Sequence, residues 1–118
     1  MILVVEDEDV SRRALARLLE QSGYDAMAVR SAEEALRFLK QGNRPDAALV
    51  DFNLPGMNGG ELIRRLKGAI PDVLSVLMTA SASEYLDWDA QLPDRHYMRK
   101  PLEFSRVLSL LNESHLPH

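Results

Sequence analysis

Cysteine is absent from all 118 residues. That removes disulfide scaffolds, zinc–thiolate sites, iron–sulfur clusters and cysteine nucleophiles. A basic excess is absent as well. Fourteen Lys and Arg against eighteen Asp and Glu leave a formal charge of −4 and a pI near 5.3, a poor match to direct binding of nucleic-acid phosphates. No apolar run approaches the roughly 18 residues of a membrane span. Met1–Val5 is apolar but has no basic leader and runs straight into acids, so it does not read as a signal peptide. Internal repeats, low-complexity tracts and linkers are missing. What remains is 46% hydrophobic and 27% charged, the composition of a soluble globular protein. The length predicts one domain over residues 1–118. A chain of this size buries about two-thirds of its unfolded surface and needs no metal or disulfide to hold its core. A cytoplasmic location is expected.

The apolar residues alternate between two periods. Met1–Val5, Ala47–Val50 and Val73–Met78 are short continuous runs, as strands buried on both faces should be. Asp25–Arg30 and His96–Arg99 are short and mixed, and read as edge strands. Between them come helical spacings: Ala14, Leu15, Leu18 and Leu19 before Gly23, then Ala35, Leu36, Phe38 and Leu39 before Gly42. Ser31 with Glu34 makes a capping-box signature for the second of these. Phe52–Gly60 holds Pro55, Gly56, Asn58, Gly59 and Gly60 and reads as a loop. Leu62, Ile63 and Leu66, ended by Gly68, predict a third helix. Ser83–Leu92 is weakly helical and closes at Pro93. Phe104, Val107, Leu108 and Leu111 predict the last helix. Five strand–helix pairs imply an α/β fold with a doubly wound parallel sheet, order 2-1-3-4-5, flavodoxin-like, with helices on both faces.

In such sheets, sites form beyond the carboxyl ends of the strands. There the sequence places Glu6, Asp7, Glu8 and Asp9 after the first strand, Asp51 after the third, Thr79 after the fourth, and Lys100 with Pro101 after the fifth. Taken singly, each has a mundane explanation. Acids favour the start of a helix, Asp51 can open a turn, Thr79 can cap a helix, and a lysine is usually a solvated charge. Together they are four strand ends on one rim, and one of only three lysines falls there. Converging carboxylates need a cation. An all-oxygen site suits Mg²⁺ or Mn²⁺. A metal, an ammonium and a hydroxyl together attract phosphoryl oxygens, and Asp51 can act as nucleophile.

Four segments carry a family resemblance: Ile2–Glu8, Leu49–Gly59, Met78–Ala80 and Tyr97–Pro101. The chain resembles, over nearly its whole length, the receiver domain of bacterial two-component response regulators. The resemblance implies that Asp51 accepts phosphate from the phosphohistidine of a histidine kinase or phosphotransfer protein, and that the chain is a switch and not an enzyme. It implies that Glu6, Asp7 and Asp51 hold Mg²⁺ together with the backbone carbonyl of Asn53. It assigns Thr79, Lys100 and Tyr97 to the switch and a cis bond to Lys100–Pro101. Its partners would be the kinase and a downstream protein or output domain meeting the fourth helix, fifth strand and last helix, with homodimerisation possible, and neither nucleic acid nor membrane. Tyr85 and Trp88 are candidate contacts on that face. Two departures stand out. Glu6 occupies a position where aspartate is frequent, and Ala80–Arg95 lacks the alanine- and glycine-rich pattern usual there. Three rivals exist. One is a docking module on the same fold that is never phosphorylated. Another is a phosphohydrolase using an aspartyl intermediate, which would want a second acid where Asn53 stands. A nucleotide or flavin binder would need a glycine-rich loop after the first strand, where acids stand instead.

Overall fold

The computed structural model describes residues 1–80, 97–114 and 116. The helix expected over 83–92, with Tyr85, Trp88, Pro93 and His96, lies outside the described residues. Five strands form one parallel sheet in the order β2-β1-β3-β4-β5: β1 (Ile2–Val5), β2 (Ala26–Val29), β3 (Ala47–Asp51), β4 (Leu74–Thr79) and β5 (Tyr97–Arg99). Four helices are seen among the described residues: α1 (Asp9–Gln21), α2 (Ala32–Lys40), α3 (Gly59–Ala69) and α4 (Phe104–Glu113).

Strand alternation divides the core in two. Successive side chains point to opposite faces of a sheet. Ile2, Val4, Leu49, Val76 and Met78 therefore pack with Leu15 and Leu19 of α1 and Val107 and Leu111 of α4. Leu3, Val5, Val50 and Leu77 pack on the other face with Ala35 of α2 and Leu62, Ile63 and Leu66 of α3. Each fully buried Leu or Ile contributes about 1.5–3 kcal/mol of transfer free energy. β1 and β3 are buried throughout, whereas β2 and β5 are only partly covered, so the two mixed segments are the sheet edges.

Local chemistry sets the helix ends. Ser31 Oγ accepts from the Glu34 N–H at 3.1 Å, while the Glu34 carboxylate accepts from the Arg30 N–H at 3.4 Å, a variant of the reciprocal capping box displaced by one residue. Asn58 caps α3 by accepting from the Glu61 N–H at 2.9 Å. That cap explains why Gly59 and Gly60 begin a helix and do not continue the loop. α3 also runs through Gly68 to Ala69, because Leu62, Ile63 and Leu66 anchor it and one glycine costs only about 1 kcal/mol. In α1 the buried stripe is Arg12, Leu15 and Leu19. Ala14 and Leu18, which share the helical spacing, are exposed.

Candidate functional site

β1, β3 and β4 end side by side, and their register decides what meets there. Val5 pairs with Val50, and Asp51 pairs with Met78. The chain beyond β1 thus delivers Glu6 and Asp7 beside Asp51. One carboxylate oxygen from each of these three residues lies within 4.8 Å of the others. Glu6 is 2% exposed and Asp51 5%, whereas Asp7 faces solvent. Three carboxylates so close, two of them buried, repel one another and lack water to screen them.

Lys100 answers that repulsion. Its Nζ donates to Glu6 Oε1 at 2.6 Å and lies 3.2 Å from Asp51 Oδ1. Burial pushes the Glu6 carboxyl up, but the hydrogen bonds from Lys100 and from the Glu8 N–H outweigh it, and its pKa falls below the ordinary value. Burial and then the Glu6 charge push Asp51 the other way, to about 6, against the pull of Lys100. Burial would lower Lys100, but the Glu6 hydrogen bond and the Asp51 charge raise it. The ammonium therefore stays charged, Glu6 holds it, and Asp51 carries the unrelieved part of the repulsion.

Thr79 ends β4, fully buried, and its carbonyl accepts from the Lys100 N–H at 2.7 Å. The Lys100–Pro101 peptide bond is cis. Asn53 stands two residues beyond Asp51 on the exposed side of the loop. Tyr97 is half-buried and packs against the core cluster on the α2–α3 face. The structure thus brings Glu6, Asp7, Asp51 and Lys100 together, with Thr79 tied to Lys100 through the backbone. Tyr97 stands apart, on β5 opposite Leu77.

Two residues at this rim escaped the sequence reading. Arg12 is 7% exposed and donates to the Glu6 and Asp7 carbonyls. Its signal was a basic residue on the 12-15-19 apolar stripe. Gly59 lies against the Asp51 backbone. Its N–H donates to the Phe52 carbonyl at 2.8 Å, and a Cβ there would collide with the Asp51 carbonyl oxygen.

An acidic cleft with a lysine, at the carboxyl edge of a 2-1-3-4-5 sheet, defines a class that the comparisons identify. The response regulator receiver domain model matches residues 2–112, and the chain belongs to that family, the receiver domains of two-component systems. The chain is similar to the sensory/regulatory protein RpfC of Xanthomonas campestris pv. campestris, with 30% identity over 93% of this chain but only 16% of that protein. It is also similar to protein PilH of Pseudomonas aeruginosa, with 26% identity over 94% of this chain and 93% of that one. Among solved structures it resembles the response regulator protein TrrA of Thermotoga maritima in complex with Mg²⁺–BeF. The TM-score is 0.83 and the identity 28%, over 96% of each chain. Among the described residues, no helix is long and apolar enough to cross a membrane.

The donor set fits a hard divalent cation. Three carboxylates supply oxygen only, which suits Mg²⁺ or Mn²⁺ over softer ions. Lys100 already reaches two of the three, so the cluster draws positive charge.

Proposed function

We propose that this chain is a single-domain phospho-accepting switch whose acceptor is Asp51. The observation that carries the reading is the buried Asp51 carboxylate, which shares one cleft with Glu6, Asp7 and Lys100. Relatives of the same family, TrrA with its bound Mg²⁺–BeF among them, support it. The donor is the phosphohistidine of a histidine kinase or phosphotransfer protein. An Asp51 oxygen attacks phosphorus as the P–N bond breaks, and the imidazole leaves with the bonding pair and takes up a proton. Glu6, Asp7, Asp51 and the Asn53 carbonyl would hold Mg²⁺, which when bound neutralises charge on the phosphoryl oxygens.

The chain's own groups do the rest. Burial leaves Asp51 poorly solvated, so little water must be stripped before it attacks. Lys100 keeps its charge and can turn from Asp51 to a phosphoryl oxygen. The Thr79 hydroxyl then moves to hydrogen-bond another oxygen, and Tyr97 turns inward. The altered face comprises β5 and α4. There a downstream protein, an output domain or a second copy docks, in the cytoplasm. The product is a modified protein, so the chain is a switch and not an enzyme.

The test is incubation with a small phosphodonor and Mg²⁺, followed by intact mass. Wild type should gain one phosphoryl group and Asp51→Ala none. An adduct persisting in Asp51→Ala at the wild-type level would overturn the assignment.

A further inference from the structure

Glu6 and Asp7 are consecutive, yet both present a carboxylate oxygen to the same cluster. Along an extended strand, neighbouring side chains point to opposite faces. The chain leaves strand geometry after Val5, and the carbonyls of Glu6 and Asp7 are free of the sheet ladder. Both meet the same side chain. Arg12 Nη1 donates to the Glu6 carbonyl at 3.1 Å and to the Asp7 carbonyl at 3.4 Å, while Nη2 is paired with the Asp9 carboxylate. Arg12 is 7% exposed, although its place on the stripe with Leu15 and Leu19 would suit an apolar residue. A buried cation is costly unless fully paired, and this one spends its donors on the two residues that carry the acids. Glu8 completes the bracing. Its N–H donates to Glu6 Oε2 at 3.3 Å, and its carboxylate accepts from the Ser11 N–H at 2.6 Å.

We propose that Arg12 is a positioning residue for the cation site: its Nη1 grips the Glu6 and Asp7 carbonyls, with Nη2 anchored on Asp9, and so aims both carboxylates at Asp51. The inference rests on the metal-site reading above. It makes a prediction opposite in sign to simple electrostatics. Removing a positive charge near a cation site should tighten Mg²⁺ binding if charge alone matters. Removing the grip should weaken it. Groups that orient metal ligands from behind typically account for 10–100-fold in affinity.

The experiment is Mg²⁺ titration by calorimetry of wild type, Arg12→Gln and Arg12→Lys, on samples whose near-ultraviolet circular dichroism shows native packing. Lysine keeps the charge, but its single nitrogen cannot stand at both the Nη1 position between the two carbonyls and the Nη2 position beside Asp9. Both variants should bind Mg²⁺ about tenfold more weakly or worse. If Arg12→Gln loses native packing, Arg12→Lys carries the test alone. Wild-type affinity, or tighter binding, in a folded variant overturns the assignment of Arg12 while the metal site stands. Absence of Mg²⁺ binding by wild type overturns both.

Discussion

Asp51→Asn should stabilise this protein when divalent cations are removed. Asp51 ionises near pH 6 in the fold against an ordinary value of 3.8. Each unit is about 1.4 kcal/mol, so holding the ionised carboxylate in the cleft costs about 3 kcal/mol above pH 7. Asparagine keeps the shape and discards the charge. The attraction of Lys100 is already counted in that figure, because it holds the Asp51 pKa down against burial and Glu6. The expected gain is therefore about 3 kcal/mol, or about 9–15 °C in Tm for a chain of this size. The pH dependence is the sharper signature. Between pH about 4 and 6, the folded wild type keeps a proton on Asp51 that the unfolded chain has released. Its stability therefore falls as pH rises through that window. Asp51→Asn lacks this slope, so the two stabilities should meet near pH 4 and separate by pH 7. Thermal melts of both proteins in EDTA, at intervals from pH 4 to 8, give the comparison. A lower Tm for Asp51→Asn at pH 7.5, or a gap that does not change with pH, would show that repulsion in the cleft is not what loads Asp51. Added Mg²⁺ should close the gap by stabilising wild type more.

Three further outcomes are expected. Asp7→Asn should weaken Mg²⁺ binding and Asp51 phosphorylation together, read by calorimetry and intact mass, since Asp7 supplies the solvent-facing carboxylate of the cluster; loss of one without the other would separate it from the metal site. Gly59→Ala should cost about 1–3 kcal/mol in urea unfolding, because a new Cβ would strike the Asp51 carbonyl oxygen and lie 2.9 Å from its carbon; an unchanged midpoint would mean that the loop has slack. Thr79→Ala should still accept phosphate but lose the NMR shift changes that phosphorylation sends to Tyr97 and α4, and wild-type shifts confined to the Asp51 loop would rule that face out.

Why some of this was legible in the sequence and some was not follows from what each feature depends on. Met1–Val5 and Ala47–Val50 have no polar residue to place on an exposed face, so they can only be central strands. Asp25–Arg30 and His96–Arg99 mix their faces, which only an edge tolerates. From that order alone, the ends carrying Glu6, Asp51, Thr79 and Lys100 had to share a rim. The choice between a buried and an exposed side of α1 was harder. Ala14 and Leu18 compete with Leu15 and Leu19 for the core, and Arg12 looks like a surface residue until its carbonyl partners are seen. The ends of α3 were misjudged for a related reason. Glycine at 59, 60 and 68 signals a break locally, while the Asn58 cap and three buried side chains outweigh it.

The same geometry bears on how the proposed signal would leave the cleft. Lys100 touches Glu6 and Asp51 with its ammonium and Thr79 with its backbone N–H. Any group that draws Nζ off Asp51 therefore acts on the residue directly following β5. That strand has three residues, lies at the sheet edge and is only partly buried. β1 and β3, which bring the acids, are central and buried throughout. Displacing a packed central strand forfeits core contacts on both sheet faces, each buried aliphatic side chain being worth about 1.5–3 kcal/mol. Displacing a short edge strand forfeits few. Charge added at Asp51 should move the cheapest element attached to it, and among the described elements that is β5 with Tyr97. A ligand shifts a population only by the difference in its contacts with the two states. Lys100 and Thr79 supply that difference at one end of β5, and the low cost of moving β5 lets a difference of a few kcal/mol suffice.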